Sequence, residues 1–487
     1  MNLIDKTIEI VAPQWAAKRA AARLTLRSLG GYDNVPTWRN SGNWHAVDAQ
    51  TGESVNTIDR EEARRKARHL ERNSEIVNAL IAALDRNVIG KGFNLQVRSD
   101  DQEWNNTVEA LWRKWCRPGN CEVTGNYSLN EVLSFIVRRR FVDGEYMIVK
   151  TQDKEAEIPF KLQMLEVDCL YELQANDKVV GGIEINAYNK AVRYYIQEHP
   201  LNGIDTEKHY TIPADRVFFL AYHQRPSEVR GMTPLARTIM EIRDLDEFQD
   251  TVAFKEKISA ATAVWIITPK DATPSWGTPN TPNTATANGA TRIAPGSVNE
   301  LPPGKDIRTL TPQGQASEYS VFNMAALRRI AAGHGLSYEI VTRDVSQVTY
   351  SSARQNLLED WKIIETEQQY LVSHFLDFVF EEVVNSAVLA GIISPPSDYF
   401  TNTDKYLKHE FIGQGMPWID PYKEARGYET LLKTAQVTLK DLYARKGKDW
   451  EEELLQYKKE HQELLDAGID FVNKRSGYGY GYAEGNE

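Results

Sequence analysis

Four carboxylates recur at three-residue steps in IMEIRDLDEFQDTV: Glu241, Asp244, Glu247 and Asp250, with Arg237 one helical turn ahead of the first. That spacing groups them on one side of a helix. Paired carboxylates so placed could hold two metal ions for hydrolytic cleavage of a phosphodiester backbone. The competing reading is a polar stripe on an amphipathic helix, and the sequence favours it because no His or distant Asp accompanies the four at an identifiable site. A second set lies in GLSYEIVTRDVSQVTYSSARQ, residues 335–355, which offers Arg343, Asp344, Ser346, Gln347, Thr349, Tyr350, Ser351, Ser352 and Arg354. Hydroxyls and an amide flanked by two arginines can contact phosphates without reading bases. An ordinary surface loop accounts for the same composition. A polar run of this length inside a compact domain is nevertheless uncommon and usually functional.

Other chemistry finds little support. A phosphate loop needs G-x-x-x-x-G-K-[ST], and Gly90-Lys91-Gly92-Phe93 has neither the spacing nor the hydroxyl. No G-x-S-x-G and no H-E-x-x-H run is present, and the nine histidines are scattered, with His223 and His334 near element ends. Cys116 and Cys121 are too far apart for a Cys-x-x-Cys knuckle; with Cys169 they fit a reducing compartment and no disulfide frame. No cofactor, metal ion or catalytic residue is expected. The net charge of −11 argues against tight wrapping of nucleic acid, which relies on Lys and Arg displacing condensed counterions. No apolar run reaches the roughly 20 residues of a membrane span, and MNLIDKTIEIVAPQW lacks the basic-then-apolar order of a secretory signal, so the expectation is a chain without membrane contact.

The elements that must position these residues are read from periodicity. Residues 1–57 form an Arg/Ala-rich, then Gly/Asn/Trp-rich arm. From Ile58 a helix carries Arg60, Arg64, Arg65, Arg68 and Arg72 on a broad polar face and gives way at Asn73/Ser74 to a second, with Ile76, Leu80, Leu84 and Val88 on its apolar side. Ser128 and Glu131 make a capping box, and Asp143-Gly144 turns the chain into EYMIVKTQ, PFKLQMLEV, GGIEINA, AVRYYIQE and ADRVFFLAYHQ. These predict one antiparallel meander with helices on one face, an α+β body without βαβ alternation. Thr233 caps and Pro234 starts a rod of about thirty residues, roughly 45 Å, with a seam of Leu235, Ile239, Ile242, Leu245, Phe248 and Val252. A Pro/Thr/Asn-rich stretch follows Trp265-Ile266-Ile267; Pro274 to Ala290 cannot bury enough apolar area to offset ordering. A second helix runs from near Ser317 to Gly333. Beyond the polar loop, a helix from about Ser352 to Gly391 turns Leu357, Trp361, Ile364, Leu371, Phe375, Phe378, Val379 and Val383 to one side. Asp420-Pro421 and Asp449 start two more helices, and SGYGYGYAEGNE ends the chain as low-complexity tail.

Four runs in order, LERNSEIVNALIAALDRNVIGKGFNLQ, HQRPSEVRGMTPLARTI, GLSYEIVTRDVSQVTYSSARQ and GMPWIDPYKEARG, span Ala67 to Gly427. With them the chain resembles the lambda family of bacteriophage portal proteins, the head–tail connectors. The resemblance implies a homo-oligomeric ring, usually a dodecamer, at a capsid vertex of the virion, assembled in the host cytoplasm. It implies an axial channel for double-stranded DNA and contacts with the terminase motor, head-completion adaptor, major capsid and scaffold proteins. By position, 58–232 would be wing and body, 233–264 and 313–335 the stem helices, and 265–312 the clip. Residues 336–355 would be the tunnel loop, 356–447 the wing and crown helices, and 448–487 a terminal helix and tail. Arg237, Glu241, Asp244, Glu247 and Asp250 would then face the channel. Two other readings stand beside it: a metal-dependent DNA-processing enzyme using the Glu241–Asp250 carboxylates, and another tail or baseplate structural protein.

Overall fold

The structure, a computed structural model, describes residues 51–171, 178–198, 208–260, 264–267, 306–309, 316–416, 421–444, 446 and 448–467. The arm up to residue 50, the Pro/Thr/Asn-rich insertion between 268 and 305, Asp420 and the tail from 468 lie outside the described residues. The chain forms two compact units, Met1–Arg237 with His334–Glu487, and Thr238–Gly333.

In the first unit, Thr51 caps α1 (Gly52–Asn73) by accepting a hydrogen bond from the Ser54 backbone N–H. The helix therefore begins six residues before Ile58, inside the stretch read as arm. Its arginine face is not solvated throughout: Arg60 and Arg64 are buried. Ser74 closes α1 and opens α2 (Glu75–Val88), whose Val77, Leu80, Ile81, Leu84 and Val88 are buried. Gly90 and Gly92 take left-handed conformations past its end, where a side chain would be strained. Next come β1 (Asn94–Val97) and α3 (Gln102–Trp115), then α4 (Leu129–Val142) with the Ser128/Glu131 box formed reciprocally.

The sheet region is two sheets, not one meander. β2 (Glu145–Gln152) sits between β3 (Phe160–Leu165) and β8 (Val217–Ala221), antiparallel to both. Between β3 and β8 in sequence, the four strands β4 (Val179–Val180), β5 (Ile183–Ile185), β6 (Ala191–Gln197) and β7 (His209–Pro213) pair in order. The reason is that β8 returns to occupy the free edge of β2, leaving the intervening hairpins to pair among themselves. Val149, Met147, Val217, Ile183, Tyr194, Ile196 and Ile212 join the two sheets in a common core.

Thr233 accepts from the Leu235 N–H and donates to Phe141 O, but only a 3₁₀ turn, Pro234–Arg237, follows it. The regular helix of the second unit, α5 (Ile239–Ala260), has 22 residues, shorter than the rod expected. Its seam is buried as far as Leu245, while Phe248 is exposed. β9 (Val264–Ile267) pairs antiparallel with β10 (Asp306–Thr309), and α6 (Ala316–Gly333) returns. Phe248 stacks with Tyr319 and tilts against Phe322, fastening α5 to α6.

Back in the first unit come α7 (Tyr338–Thr342), α8 (Tyr350–Leu371), a π-helical turn at Val372–Leu376 and α9 (Asp377–Leu389). The π turn inserts an extra residue into the repeat. Leu371, Phe375, Val379 and Val383 accordingly stay buried while Phe378, expected on that face, is exposed. After α10 (Thr403–Tyr406), β11 (His409–Ile412) pairs with β1, Leu95 opposite Phe411, a strand pairing absent from the sequence reading. Trp104, Trp112, Trp115, Phe160, Phe380 and Tyr399 fill the space around it; the Trp104 and Trp115 indoles donate to Tyr406 O and Phe160 O, so neither N–H is stranded. Helices α11 (Pro421–Lys433), α12 (Leu439–Ala444) and α13 (Trp450–Asp466, capped by Asp449) complete the described chain.

Candidate functional site

The segment read as a loop over residues 336–355 is helical at both ends. Ser337 caps α7, and its hydroxyl and N–H both bond to the buried Asp360 carboxylate. Burial raises the Asp360 pKa, and those hydrogen bonds oppose the shift. Arg343 ends the helix in the left-handed region at φ 60°. Asp344 then accepts from Ser346 N–H at 3.0 Å and from Tyr338 OH at 3.0 Å; hydrogen bonds from Ser346 and Tyr338 hold its carboxyl below the usual range. Thr349 and Ser352 form a reciprocal cap for α8. Tyr350, Ser351, Ser352 and Arg354 therefore stand on the first turns of a helix, and the irregular stretch between the two helices is residues 343–349. The local hydrogen-bonding capacity of Ser, Thr and Asp, which made the run look like a loop, is what caps the two helices.

Seven of the nine expected residues, Arg343, Ser346, Gln347, Thr349, Tyr350, Ser351 and Ser352, are exposed on this apex. Arg354 is not free: its Nη1 lies 3.2 Å from Glu424 Oε1 on α11. On the same helix, Lys423 Nζ sits 5.3 Å from the centre of the Tyr350 ring. Arg86 of α2 is close enough to Arg343 that their like charges, after burial, lower the Arg86 pKa. The apex thus gathers cations from three of the quoted runs, of which Lys423 and Arg86 were missed; their signal was present, since both fall inside runs already singled out. With the Thr349 and Ser352 hydroxyls spent on capping, Arg343, Gln347, Tyr350 and Ser351 remain exposed.

The carboxylate set belongs to the other unit. Glu241 pairs with Arg329 of α6 at 3.0 Å and Glu247 with Arg243 at 2.9 Å; Asp250 is exposed and Asp244 half-buried. Among the described residues no group of three His, Cys, Asp or Glu side chains could hold a metal ion. Arg237 is exposed on the 3₁₀ turn, where it lines a small cavity with His334, Phe141 and Glu367. His223 is exposed. The three cysteines are free thiols, and burial raises the pKa values of Cys116 and Cys121, which suits inert packing rather than nucleophilic use.

The run HQRPSEVRGMTPLARTI also has a structural basis. Glu145, fully buried at the start of β2, accepts from Arg230, from Arg64 at 3.2 Å and from the Gly231 N–H at 2.8 Å. Glu53 of α1 accepts from the Val229 and Arg230 N–H groups and pairs with Arg60 at 2.6 Å. Gly144 and Gly231 permit the crossing, for a Cβ on Gly231 would lie 2.1 Å from Gly144 O. This ionic knot fixes the segment that leads to Thr233.

A family model described as phage portal protein, lambda family, matches residues 37–368. A probable portal protein of Halomonas phage phiHAP-1 is 26% identical over 413 residues, covering 80% of this chain and 78% of that protein. Portal protein B of Escherichia phage lambda is 23% identical over 447 residues, covering 83% and 84%. Among solved structures, the neck of an empty GTA particle computed with C6 symmetry aligns with a TM-score of 0.46 at 12% identity, over 77% of this chain and 90% of that one. The two families of evidence from sequence, the ordered runs and the match over residues 37–368, agree: the chain belongs to the lambda family of phage portal proteins.

Proposed function

We propose that this chain is the repeating subunit of a homo-oligomeric ring at one capsid vertex of a virion. The ring is a passive conduit for double-stranded DNA in packaging and ejection, and the docking point for the terminase motor and a head–tail adaptor. The carrying observation is the family match across residues 37–368. In this reading the hairpin of α5 and α6 is the stem, the strands β9 and β10 lead to the clip, and the apex at 343–349 is the part that touches DNA. The exposed apolar side chains of the hairpin support assembly, since Phe254, Val321 and Phe322 are 64%, 68% and 51% exposed in a single copy. An overall acidic chain does not hold a polyanion, so DNA slides, while a few cations at the apex give a salt-sensitive contact. With no phosphate-loop run in the sequence, the force comes from a separate ATP-hydrolysing subunit.

Negative-stain imaging of the purified protein is the direct test. Annular particles with a central hole, and no magnesium-dependent cleavage of plasmid DNA, are expected. A monomer that cuts DNA with magnesium would replace this reading with the carboxylate nuclease.

A further inference from the structure

Helices α11 to α13, residues 421–467, hold their place with no buried apolar side chain among the described residues. From Tyr422 to Ala467 one described residue is buried, and it is a carboxylate, Glu424. Tyr422, Leu439, Leu454, Leu455, Tyr457 and Leu465 are all exposed. Fixing backbone and side chains costs conformational entropy, which burial of apolar surface normally offsets. Here that offset is small, and a segment with few buried apolar contacts belongs to the low end of local stability.

Charged contacts tie these helices to the rest of the first unit. Glu451 of α13 lies 3.1 Å from Arg98, just past β1, and Lys440 of α12 lies 3.2 Å from Glu410 on β11. Arg98 and Glu410 are themselves 3.5 Å apart. The four therefore alternate in sign as Glu451, Arg98, Glu410 and Lys440, two from the segment and two from beside the β1–β11 pairing. On α11 the Arg354–Glu424 pair at 3.2 Å, with Lys423 beside the Tyr350 ring, makes a second tie, to α8. Past the first turn of α13, the bonds from Gln456 to Glu460 and from Gln462 to Asp466 stay within the helix. The Glu451, Glu410 and Lys440 side chains are 52%, 44% and 48% exposed, so dissolved ions reach the clasp and screen it.

We propose that these ion pairs form a salt-sensitive latch. Helices α11 to α13 are docked while the pairs hold and open as ionic strength rises, and the body of the first unit does not change. A segment fastened by apolar burial would behave differently, because screening of charges leaves burial untouched. The latch depends on the pairs alone and is independent of the channel reading.

The full-length protein is followed by hydrogen exchange with mass spectrometry at about 0.05 M and about 1 M sodium chloride, with light scattering on the same samples. Exchange across 421–467 should rise roughly tenfold at high salt, the product of a few-fold for each screened pair. Helix α3, with Trp104, Trp112 and Trp115 buried, should not respond. Glu451→Gln combined with Lys440→Gln changes two exposed side chains, and the variant should exchange fast already at low salt. Its remaining salt response should be only a few-fold, that of Arg354 and Glu424. Exchange in 421–467 that salt leaves unchanged, or a salt response undiminished in the double variant, overturns the latch. So does a rise that appears only as light scattering shows the protein dissociating, since a neighbouring copy and not the ion pairs would then protect the segment.

Discussion

Arg354 Nη1 lies 3.2 Å from Glu424 Oε1, joining the first turn of α8 to α11 across 70 residues of chain. The Glu424 side chain is 5% exposed and that of Arg354 41%, so the pair is half-shielded and counts for more than a surface ion pair. Glu424→Gln should lower stability by about 1–2 kcal/mol. Hydrogen exchange should rise in α11 and at the start of α8, with the α1 knot unchanged. Uniform exchange across the first unit in that variant would show that the pair does not fasten α11.

Phe254, Val321 and Phe322 are exposed on one chain, whereas Leu245 is buried. The two classes should therefore separate. Phe254→Ser with Phe322→Ser should abolish rings in light scattering and micrographs while the circular dichroism spectrum of the chain stays intact. Leu245→Asp should unfold the hairpin itself by placing an uncompensated charge in its seam. Normal rings from the double serine variant would mean that these aromatics meet solvent in the assembly.

Glu145 and Arg230 form a buried pair whose removal is asymmetric. Arg230→Met leaves Glu145 fully buried with only Arg64 and the Gly231 N–H to answer it, and should cost about 3–5 kcal/mol in urea denaturation. Replacing both, Arg230→Met with Glu145→Leu, should recover part of that loss, because no charge is then stranded. A double variant worse than the single would place the cost in packing rather than in the charge.

Local signals carried much of this fold into the sequence. The Ser128/Glu131 box, the break at Ser74 and the left-handed Gly90 and Gly92 are all decided within a turn or two, and each was legible. What escaped was non-local. β1 and β11 are joined by a pairing of residues some three hundred apart, and nothing in either four-residue run announces the other. The arginine face of α1 reads as solvated until Glu145 and Glu53 arrive to bury it. At the apex, periodicity placed the helices but composition hid their caps, since Thr349 and Ser352 look like loop residues and act as a cap. Arg354 was named as a phosphate contact, and its partner Glu424 lay in a run quoted for another reason.

His334 packs edge-on against Phe141 at 5.1 Å between ring centres, and burial, with a smaller contribution from Arg237, lowers its pKa to about 4. Unfolded, the imidazole titrates near 6.5. Between these values the unfolded chain binds more protons than the folded one, so stability falls as pH drops from 6.5 toward 4 and is fully present above 6.5. The contribution is on the order of 2–3 kcal/mol. His334→Gln should flatten this part of the profile, so that the difference between wild type and variant in urea midpoint shrinks steadily from pH 7 to pH 4. A constant difference across that range would mean that His334 is as easily protonated in the folded protein as in the unfolded chain, and that its place beside Phe141 is set by packing alone.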